Sequence, residues 1–249
     1  MSAPAGAHRT AERADGVFEG STGLRVAVVD YGAGNLVSIE QALTTVGARV
    51  AIARDGDVLA DADALVVPGV GAAAPAMERL TTAGLVDPIR RWIATGRPFL
   101  GICLGLQLLF EASDEDGAET LGVLRGRATK LADAPTLPHI GWNQVDRRRE
   151  HSIFTGIAPG ADFYFVHSYA GRPEGVTGEA AILAETRHGS PFVSAVAREN
   201  VLGVQFHPER SGGDGLRLLA NFARWATALA AGRGAEYSPV GAGGTSGGD

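Results

Sequence analysis

The stretch Pro98-Phe-Leu-Gly-Ile-Cys-Leu-Gly105 joins a short apolar run to a helical pattern, and it decides how the surrounding chain folds. Residues 98–103 predict a buried strand, and residues 104–111 predict a helix. The pattern Gly101-Ile-Cys-Leu-Gly105 is typical of a sharp strand-to-helix turn that exposes its central side chain at the carboxyl end of a sheet. Cys103 is expected at a helix N-terminus, where the dipole favours a thiolate. The turn makes Cys103 a candidate nucleophile, with a buried structural cysteine as an equally simple alternative.

The chain before this turn alternates short apolar runs with helical patterns. Its predicted strands are 24–30, 48–53 and 64–67, and its predicted helices are 35–46, 74–82 and 85–95. After residue 120 the predicted strands follow one another closely, at 121–123, 127–131, 141–145, 162–166, 181–186, 193–197 and 201–206. A final helix with an apolar stripe begins at Asp214. This order predicts an α/β fold with three layers: a mostly parallel central sheet flanked by helices, with antiparallel strands added at its edge.

The two ends of the chain differ in composition from the rest. Residues 1–23 mix small residues with scattered charges, and residues 232–249 carry seven glycines. Such segments bury too little apolar surface to offset the entropy lost on ordering. We therefore expect a disordered N-terminal extension at 1–23, one folded domain at 24–231, and a disordered glycine-rich tail at 232–249.

Composition excludes several classes of function. With 22 basic and 28 acidic residues the formal net charge is −6, which argues against nucleic-acid binding. No apolar stretch reaches the ~20 residues of a membrane span, and the N-terminus lacks the apolar core of a secretory signal. The single cysteine excludes an internal disulfide, and the six histidines lack metal-ligand spacing. The turn at 32–35 lacks the third glycine of a dinucleotide-binding motif. These observations predict a soluble, cytoplasmic protein without metal, cofactor, membrane or nucleic acid.

A second motif supplies a base for the candidate nucleophile. Gly203-Val-Gln-Phe-His-Pro-Glu209 places His207 and Glu209 two residues apart, just after a predicted strand. Pro208 favours an extended conformation at His207, and residues i and i+2 of an extended segment face the same way. Glu209 is thus placed to orient His207, and His207 to accept the proton of Cys103, which is the logic of a nucleophile–base–orienter triad.

Acyl transfer also requires hydrogen-bond donors for an oxyanion. One candidate donor is the backbone N–H of Leu104, next to the nucleophile. The other lies in Pro68-Gly-Val-Gly71, which follows a predicted strand and is expected beside the Cys103 turn. Its glycines permit a peptide plane to rotate until the N–H of Val70 or Gly71 points inward. The open alternative is a glycine-rich turn with no catalytic role.

Taken together, these motifs resemble those of the class I, triad-type glutamine amidotransferases. Three further motifs, Asp30-Tyr-Gly-Ala-Gly-Asn-Leu36, Pro68-Gly-Val-Gly71 and Pro138-His-Ile-Gly-Trp-Asn143, resemble the glutaminase subunits of imidazole glycerol phosphate synthases. The resemblance extends over about residues 25–229. It implies a heterodimer in which this chain hydrolyses L-glutamine, through a cysteinyl thioester, and passes ammonia to a cyclase subunit with a (β/α)₈ barrel, a step of histidine biosynthesis.

The resemblance also assigns roles to particular residues. It implies a catalytic triad of Cys103, His207 and Glu209, with Leu104, Val70 and Gly71 around the oxyanion. Contacts with glutamine are implied for Gln107, Gly69, Ser168 and Tyr169, and contacts with the synthase for Asn35, Trp142 and Arg210. Arg210 follows the triad glutamate where the family often has lysine, and Ala73 stands where an aromatic residue is common. No metal or cofactor is implied.

Two other functions remain open from the sequence. One is a glutaminase that serves a different synthase, of the anthranilate or aminodeoxychorismate type, against which the 30–36 and 138–143 motifs argue. The other is a non-catalytic regulatory subunit of the same fold, although all three triad residues are present. The glycines of the 69–71 turn further predict that the isolated chain has low glutaminase activity until a partner completes the oxyanion site.

Overall fold

A central sheet organises the chain, whose computed structural model describes residues 23–236. In chain order the strands are β1 (Arg25–Val29), β2 (Arg49–Ala53), β3 (Ala64–Gly69), β4 (Phe99–Cys103), β5 (Ala112–Ser113), β6 (Gly126–Lys130), β7 (His139–Gln144), β8 (Asp146–Arg147), β9 (Asp162–His167), β10 (Tyr169–Pro173), β11 (Ile182–His188), β12 (Ser190–Arg198) and β13 (Val201–Val204). The central sheet has the order β2-β1-β3-β4-β13-β12-β11-β8. Its first five strands are parallel, and β12, β11 and β8 add an antiparallel edge.

Helices cover both faces of this sheet. They are α1 (Leu36–Thr45), α2 (Asp57–Ala60), α3 (Ala73–Thr82), α4 (Val86–Ala94), α5 (Leu104–Gln107), α6 (Gly175–Ala180) and α7 (Gly212–Glu236). Alternate residues of β1 point to opposite faces, as the twofold repeat of a strand requires, so Val28 packs in a cluster with α1 and α7 whereas Val29 packs with α3 and α4. The three-layer α/β fold predicted from the sequence is confirmed.

Two small sheets complete the fold on the side of the antiparallel edge. One has the order β10-β6-β5, and the other pairs β7 with β9 in an antiparallel ladder from His139↔His167 to Gln144↔Asp162. The cluster that contains α1 and α7 also includes Phe163 and Phe165 of β9. The β7–β9 pair therefore packs against the main core, which fixes its position.

Two local predictions after the Cys103 turn are wrong. The helix predicted at 104–111 ends at Gln107, and residues 121–123 form no strand. The two errors have one cause. The N–H of Leu121 donates to the Leu108 carbonyl at 2.9 Å, and the N–H of Val123 donates to the Leu109 carbonyl at 2.8 Å. The 121–123 segment thus caps the end of the helix instead of pairing with a neighbouring strand.

The last helix extends to Glu236, beyond the predicted domain boundary at residue 231. Gly232 lies inside this helix, although glycine is about 1 kcal/mol less favourable than alanine at such a position. The alanine-rich sequence before it favours continuation of the helix. Residues 1–22 and 237–249, which contain most of the two predicted disordered segments, lie outside the described residues. Across residues 23–236, no helix has the length and apolar character needed to span a membrane.

Candidate active site

The turn at Cys103 is strained and held by close packing. Cys103 is the last residue of β4 and has φ 54° and ψ −108°, an uncommon conformation for a residue with a side chain. Glycine at 105 permits the turn, because a Cβ atom there would lie 1.8 Å from the Val67 carbonyl oxygen. Backbone strain of this kind costs about 1–3 kcal/mol and is concentrated at functional sites. The packing therefore presents the thiol at the carboxyl end of β4, as the sequence predicts.

His207 and Glu209 follow β13, the strand next to β4 in the sheet. The Nδ1–H of His207 donates to Glu209 Oε1 at 2.8 Å, and both side chains are buried. Ser211 fixes the segment from below, since its hydroxyl donates to the His207 carbonyl at 2.6 Å. Burial lowers the pKa of His207, but the Cys103 thiolate and the Glu209 carboxylate outweigh burial and raise that pKa to about 10. The raised pKa favours a protonated imidazole, whose Nε2 is buried and makes no hydrogen bond among the described residues.

A cavity of about 230 Å³ opens beside the thiol. Its lining includes the following predicted site residues: Cys103, Leu104, Gly71, Gln107, Ser168 and Tyr169. A larger cavity of about 970 Å³ lies between β6, β10 and β12, away from Cys103. We assign the smaller cavity to the site, because the candidate nucleophile opens into it.

The predicted oxyanion turn meets the cavity only in part. Gly69 is paired with Cys103 in the β3–β4 ladder, whereas Val70 is 45% exposed. Neither residue is in the cavity lining. Gly71 is in the lining and has φ 91°, a conformation that favours glycine. The turn therefore lies beside the nucleophile, with Val70 partly exposed to solvent.

A turn far away in sequence holds the helix that follows this loop. The side chain of Asp116 accepts a hydrogen bond from the Ala74 N–H at 2.6 Å, in the first turn of α3. Ala72, the N-cap residue of α3, makes no side-chain capping bond. Asp116 replaces that missing cap and ties the start of α3 to the turn that contributes the neighbouring Glu115 to the cavity lining.

Two glutamine side chains connect the thiol to the wall of the cavity. Gln205 donates from Nε2 to Cys103 Sγ at 3.6 Å, and its Oε1 accepts from Gln107 Nε2 at 3.1 Å. Gln107 also donates to the Tyr169 carbonyl at 2.8 Å. These bonds use both amide hydrogens of Gln107, so its position and orientation are fixed before any ligand binds.

Buried histidines continue this network to the β7–β9 pair. Asn143 Nδ2 lies 3.1 Å from His139 Nε2, His139 Nδ1 lies 3.2 Å from His167 Nε2, and His167 Nδ1 lies 2.9 Å from the Tyr169 carbonyl. An amide nitrogen only donates and a carbonyl only accepts, so both rings are neutral and protonated on Nδ1. This series of hydrogen bonds fixes the Tyr169 carbonyl, which also accepts a hydrogen bond from Gln107.

These two histidines predict sensitivity to mild acid. Burial, with a smaller contribution from His188, lowers the pKa of His139 to about 4, and burial lowers the pKa of His167 to about 3. An unfolded histidine titrates near pH 6.5. Below that pH the unfolded chain therefore binds protons at these two rings, whereas the folded chain does not. We expect the free energy of unfolding to fall as the pH drops from about 6.5 to 5, above the main range of carboxylate titration.

Urea unfolding at several pH values in this window measures the effect. Replacing His139 with asparagine removes one of the titrating rings and should reduce the slope of the decline. His207 does not cause this decline. Its raised pKa keeps it protonated in the folded chain, whereas the unfolded ring is only partly protonated near pH 6.5, so its contribution has the opposite sign and ends near pH 5, where both states hold the proton. Equal slopes for the wild type and the His139→Asn variant would contradict this prediction.

Two of the three predicted interface residues, Arg210 and Trp142, contact the same tyrosine ring at the surface. Arg210 stacks over the Tyr164 ring, with its guanidinium carbon 4.0 Å from the ring centroid. Trp142 is 57% exposed and contacts the same ring edge-on, at 6.2 Å between centroids. Asn35 caps α1, where its side chain accepts from the Ser38 N–H, and α1 contacts the turn that contains Arg210. Arg210 and Trp142 thus form one surface beside the triad segment, and Asn35 lies at the start of a helix that contacts this segment.

Several residues that surround the triad are not indicated by the sequence patterns. Gln205 shares strand parity with His207, so the twofold repeat placed it on the same face and could have revealed it. The sequence indicates the role of Ser211 only weakly, through a small hydroxyl residue two positions after Glu209. The contacts of His167 with His139 and of Asp116 with Ala74 join residues distant in sequence, and no local pattern indicates them.

The fold and the site together define the class of protein. The model of the family described as "Glutamine amidotransferase class-I" matches residues 27–225, and the chain belongs to that family. Individual relatives of known name indicate a particular group within this family. The chain is 48% identical over 208 residues to "Imidazole glycerol phosphate synthase subunit HisH" of Aquifex aeolicus, which covers 83% of this chain and 99% of the relative. It is 47% identical to the protein of the same name in Symbiobacterium thermophilum, over 80% and 93% of the two chains.

Solved structures share the fold at lower identity. A structure titled "Crystal structure of glutamine amidotransferase" superposes with a TM-score of 0.61 at 23% identity, over 82% of this chain and 98% of that chain. "Structure of PurLQS from Thermotoga maritima" gives a TM-score of 0.63 at 18% identity, over 81% and 98%. At such identities the likeness shows the fold alone.

Proposed function

We propose that this chain is the glutaminase subunit of an imidazole glycerol phosphate synthase. It hydrolyses L-glutamine to glutamate and ammonia, and ammonia passes to a cyclase subunit with a (β/α)₈ barrel fold. The observation that carries the catalytic part is the strained Cys103 turn beside a buried His207 whose Nδ1 lies 2.8 Å from Glu209. The sequence similarity to subunits named HisH supports the choice of synthase. The cytoplasmic location expected from the sequence belongs to the same proposal.

In this proposal Cys103, His207 and Glu209 act as a triad. The Cys103 thiolate attacks the side-chain carbonyl carbon of glutamine, and the carbonyl oxygen becomes an oxyanion. The Leu104 N–H and an N–H of the Val70–Gly71 turn stabilise that charge. Protonated His207 then gives its proton to the leaving nitrogen, ammonia departs, and a thioester remains. Neutral His207 next removes a proton from water, which cleaves the thioester to glutamate and restores the thiolate–imidazolium pair.

The network around Gln107 provides a site for the glutamine substrate. Gln107, Ser168 and Tyr169 all line the cavity beside the thiol. The Tyr169 carbonyl is fixed from two sides, by Gln107 at 2.8 Å and by His167 at 2.9 Å. Backbone and amide groups held in this way bind a polar substrate without further ordering, which lowers the entropic cost of binding.

An exposed surface supports the proposed partner contact. Ile140 and Trp142 lie on the same outward face of β7 and are 60% and 57% exposed, and Val37 of α1 is 63% exposed. Large apolar side chains exposed close together are typical of protein interfaces, where aromatic residues and arginine are enriched. Arg210 contacts the same Tyr164 ring as Trp142, and α1, which carries Val37 and is capped by Asn35, contacts the turn that contains Glu209 and Arg210. A partner docked there is placed to influence the turn at 69–71.

The decisive experiment measures glutamate release by the full-length chain, alone and with the cyclase subunit of the same organism. We expect slow release by the chain alone and faster release once the cyclase and its nucleotide substrate are present, because the partly exposed oxyanion turn is then completed. Absence of glutamate in every condition would overturn the catalytic proposal. Equal rates with and without the cyclase would overturn only the proposed completion of the oxyanion site. Stimulation by a chorismate-using synthase, but not by the cyclase, would point to a different partner.

A further inference from the structure

A tyrosine hydroxyl is buried without a partner beneath the oxyanion turn. Tyr31 follows β1 and is 5% exposed. Within residues 23–236, its hydroxyl is one of a few buried side-chain groups that make no hydrogen bond. A buried hydroxyl without a partner destabilises the folded state, so most such groups are satisfied in at least one functional state. The aromatic ring alone would fill the same space without this penalty.

The hydroxyl lies directly against the turn. A Cβ atom placed on Gly69 would be 2.1 Å from the Tyr31 hydroxyl oxygen and 3.0 Å from the Leu104 Cβ. A Cβ atom at position 69 would therefore clash with the tyrosine hydroxyl, which lies against the turn. Tyr31 is not part of the cavity lining, which includes Gly71 and Leu104. The hydroxyl thus contacts the turn at Gly69, outside the lining of the substrate cavity.

The geometry of a peptide group links the Tyr31 hydroxyl to rotation of the 69–71 turn. The N–H and C=O of one trans peptide point in opposite directions. When a peptide of the 69–71 turn rotates so that its N–H faces the cavity, its carbonyl points away from the cavity lining, to which the neighbouring Tyr31 hydroxyl does not belong. Gly71 has φ 91° and no atom within 4 Å of the place where a Cβ would stand, so the turn has room for such a rotation.

We propose that Tyr31 is a positioning residue, whose hydroxyl donates a hydrogen bond to a backbone carbonyl of the Gly69–Val70 turn when the turn adopts its oxyanion-binding conformation. The proposal rests on the glutaminase function proposed above. The hydroxyl is suited to act as a donor, since burial, and then the Cys103 thiolate, raise the pKa of Tyr31 well above its ordinary value. It therefore keeps its proton at all working pH values. Its missing partner in the present conformation becomes a stabilising contact in the active one.

The Tyr31→Phe variant tests this role in the complex with the cyclase. It removes only the oxygen atom, so the folded protein should be at least as heat-stable as the wild type. We expect kcat for glutamine hydrolysis to fall about tenfold, the effect of one lost hydrogen bond in the active state, while KM for glutamine changes by less than about twofold. Alkylation of Cys103, the single cysteine of the chain, should proceed at the wild-type rate, because the nucleophile is untouched.

Thr186→Val is the matched control. The Thr186 hydroxyl is also buried without a hydrogen bond among the described residues, but it lies in β11, away from the turn. Its removal should leave kcat and KM unchanged and the melting temperature equal or higher. If Tyr31→Phe behaves in the same way as this control in an active complex, the positioning role is overturned and the glutaminase function stands. Slower alkylation of Cys103 in Tyr31→Phe would also overturn it, since the tyrosine would then act on the thiol. A wild-type complex that releases no glutamate overturns both proposals.

Discussion

Replacement of Cys103 by alanine is expected to abolish glutamine-dependent activity while leaving ammonia-dependent activity of the synthase intact. Removal of the nucleophile from a triad eliminates the covalent route altogether, and we expect glutamate release to fall by at least about 10³-fold. The cyclase, in contrast, needs only ammonia, which can enter from solution when ammonium salts are added. The paired measurements are glutamate release from glutamine and product formation from added ammonia, both on the assembled complex.

The alanine variant should also relax strain in the turn only slightly. The positive φ at residue 103 stands beside a close backbone approach at Gly105, which the substitution does not alter. Ser194→Ala is a suitable control, because it removes another small, buried side chain from the central sheet at β12, outside the cavity lining. Its glutamate release should match that of the wild type. Retention of glutamine-dependent activity in Cys103→Ala would contradict the proposed thioester chemistry directly.

Local spacing explains why the sequence predicts the main features of this site. The strand, the turn glycines and Cys103 lie within eight residues, and His207 and Glu209 are separated by one proline. Such patterns act through neighbouring backbone geometry, which a sequence displays directly. Adjacent parallel strands then bring the two motifs together, and the alternation of strands and helices predicts this sheet.

The surrounding network could not be predicted in this way, because it depends on how distant segments align. His139 contacts His167 only because β7 and β9 pair in one particular register, and a shift by one residue would turn these side chains away. The contact between Tyr31 and Gly69 likewise depends on the packing of one loop against another. Asp116 caps α3 across 42 residues of sequence, and many aspartates in turns have no such role. The residues that position the site are therefore visible only in the folded structure, whereas local sequence patterns predict the residues that are proposed to react.

Replacement of Glu209 by glutamine has the second large expected effect. The carboxylate accepts from His207 Nδ1 at 2.8 Å through Oε1, and its Oε2 is buried without a partner among the described residues. If the glutamine keeps an oxygen toward Nδ1, its NH₂ group takes the second position, where nothing in the described structure accepts its protons. If the amide turns over, it donates to Nδ1 instead. The ring then carries its proton on Nε2 and cannot accept one from water during thioester hydrolysis.

Either arrangement also removes a charge that supports protonation of the base. The carboxylate helps to raise the pKa of His207 to about 10, so that pKa should fall in Glu209→Gln. We expect glutamate release by the complex to decrease by about 10³–10⁴-fold, with little change in the ammonia-dependent reaction. Activity measured from pH 6 to pH 10, together with NMR titration of the His207 ring, separates lost orientation from altered protonation.

Glu185→Gln provides the control for loss of a partly buried carboxylate. Glu185 pairs with Arg148 at 3.1 Å on β11, away from the thiol, and its neutralisation should leave glutamate release close to the wild-type rate. A decrease of less than about tenfold in Glu209→Gln would mean that Ser211 and the surrounding packing orient His207 without the carboxylate. A large decrease that added ammonia bypasses would place Glu209 in the glutaminase step itself, because the cyclase reaction then proceeds normally in the same complex.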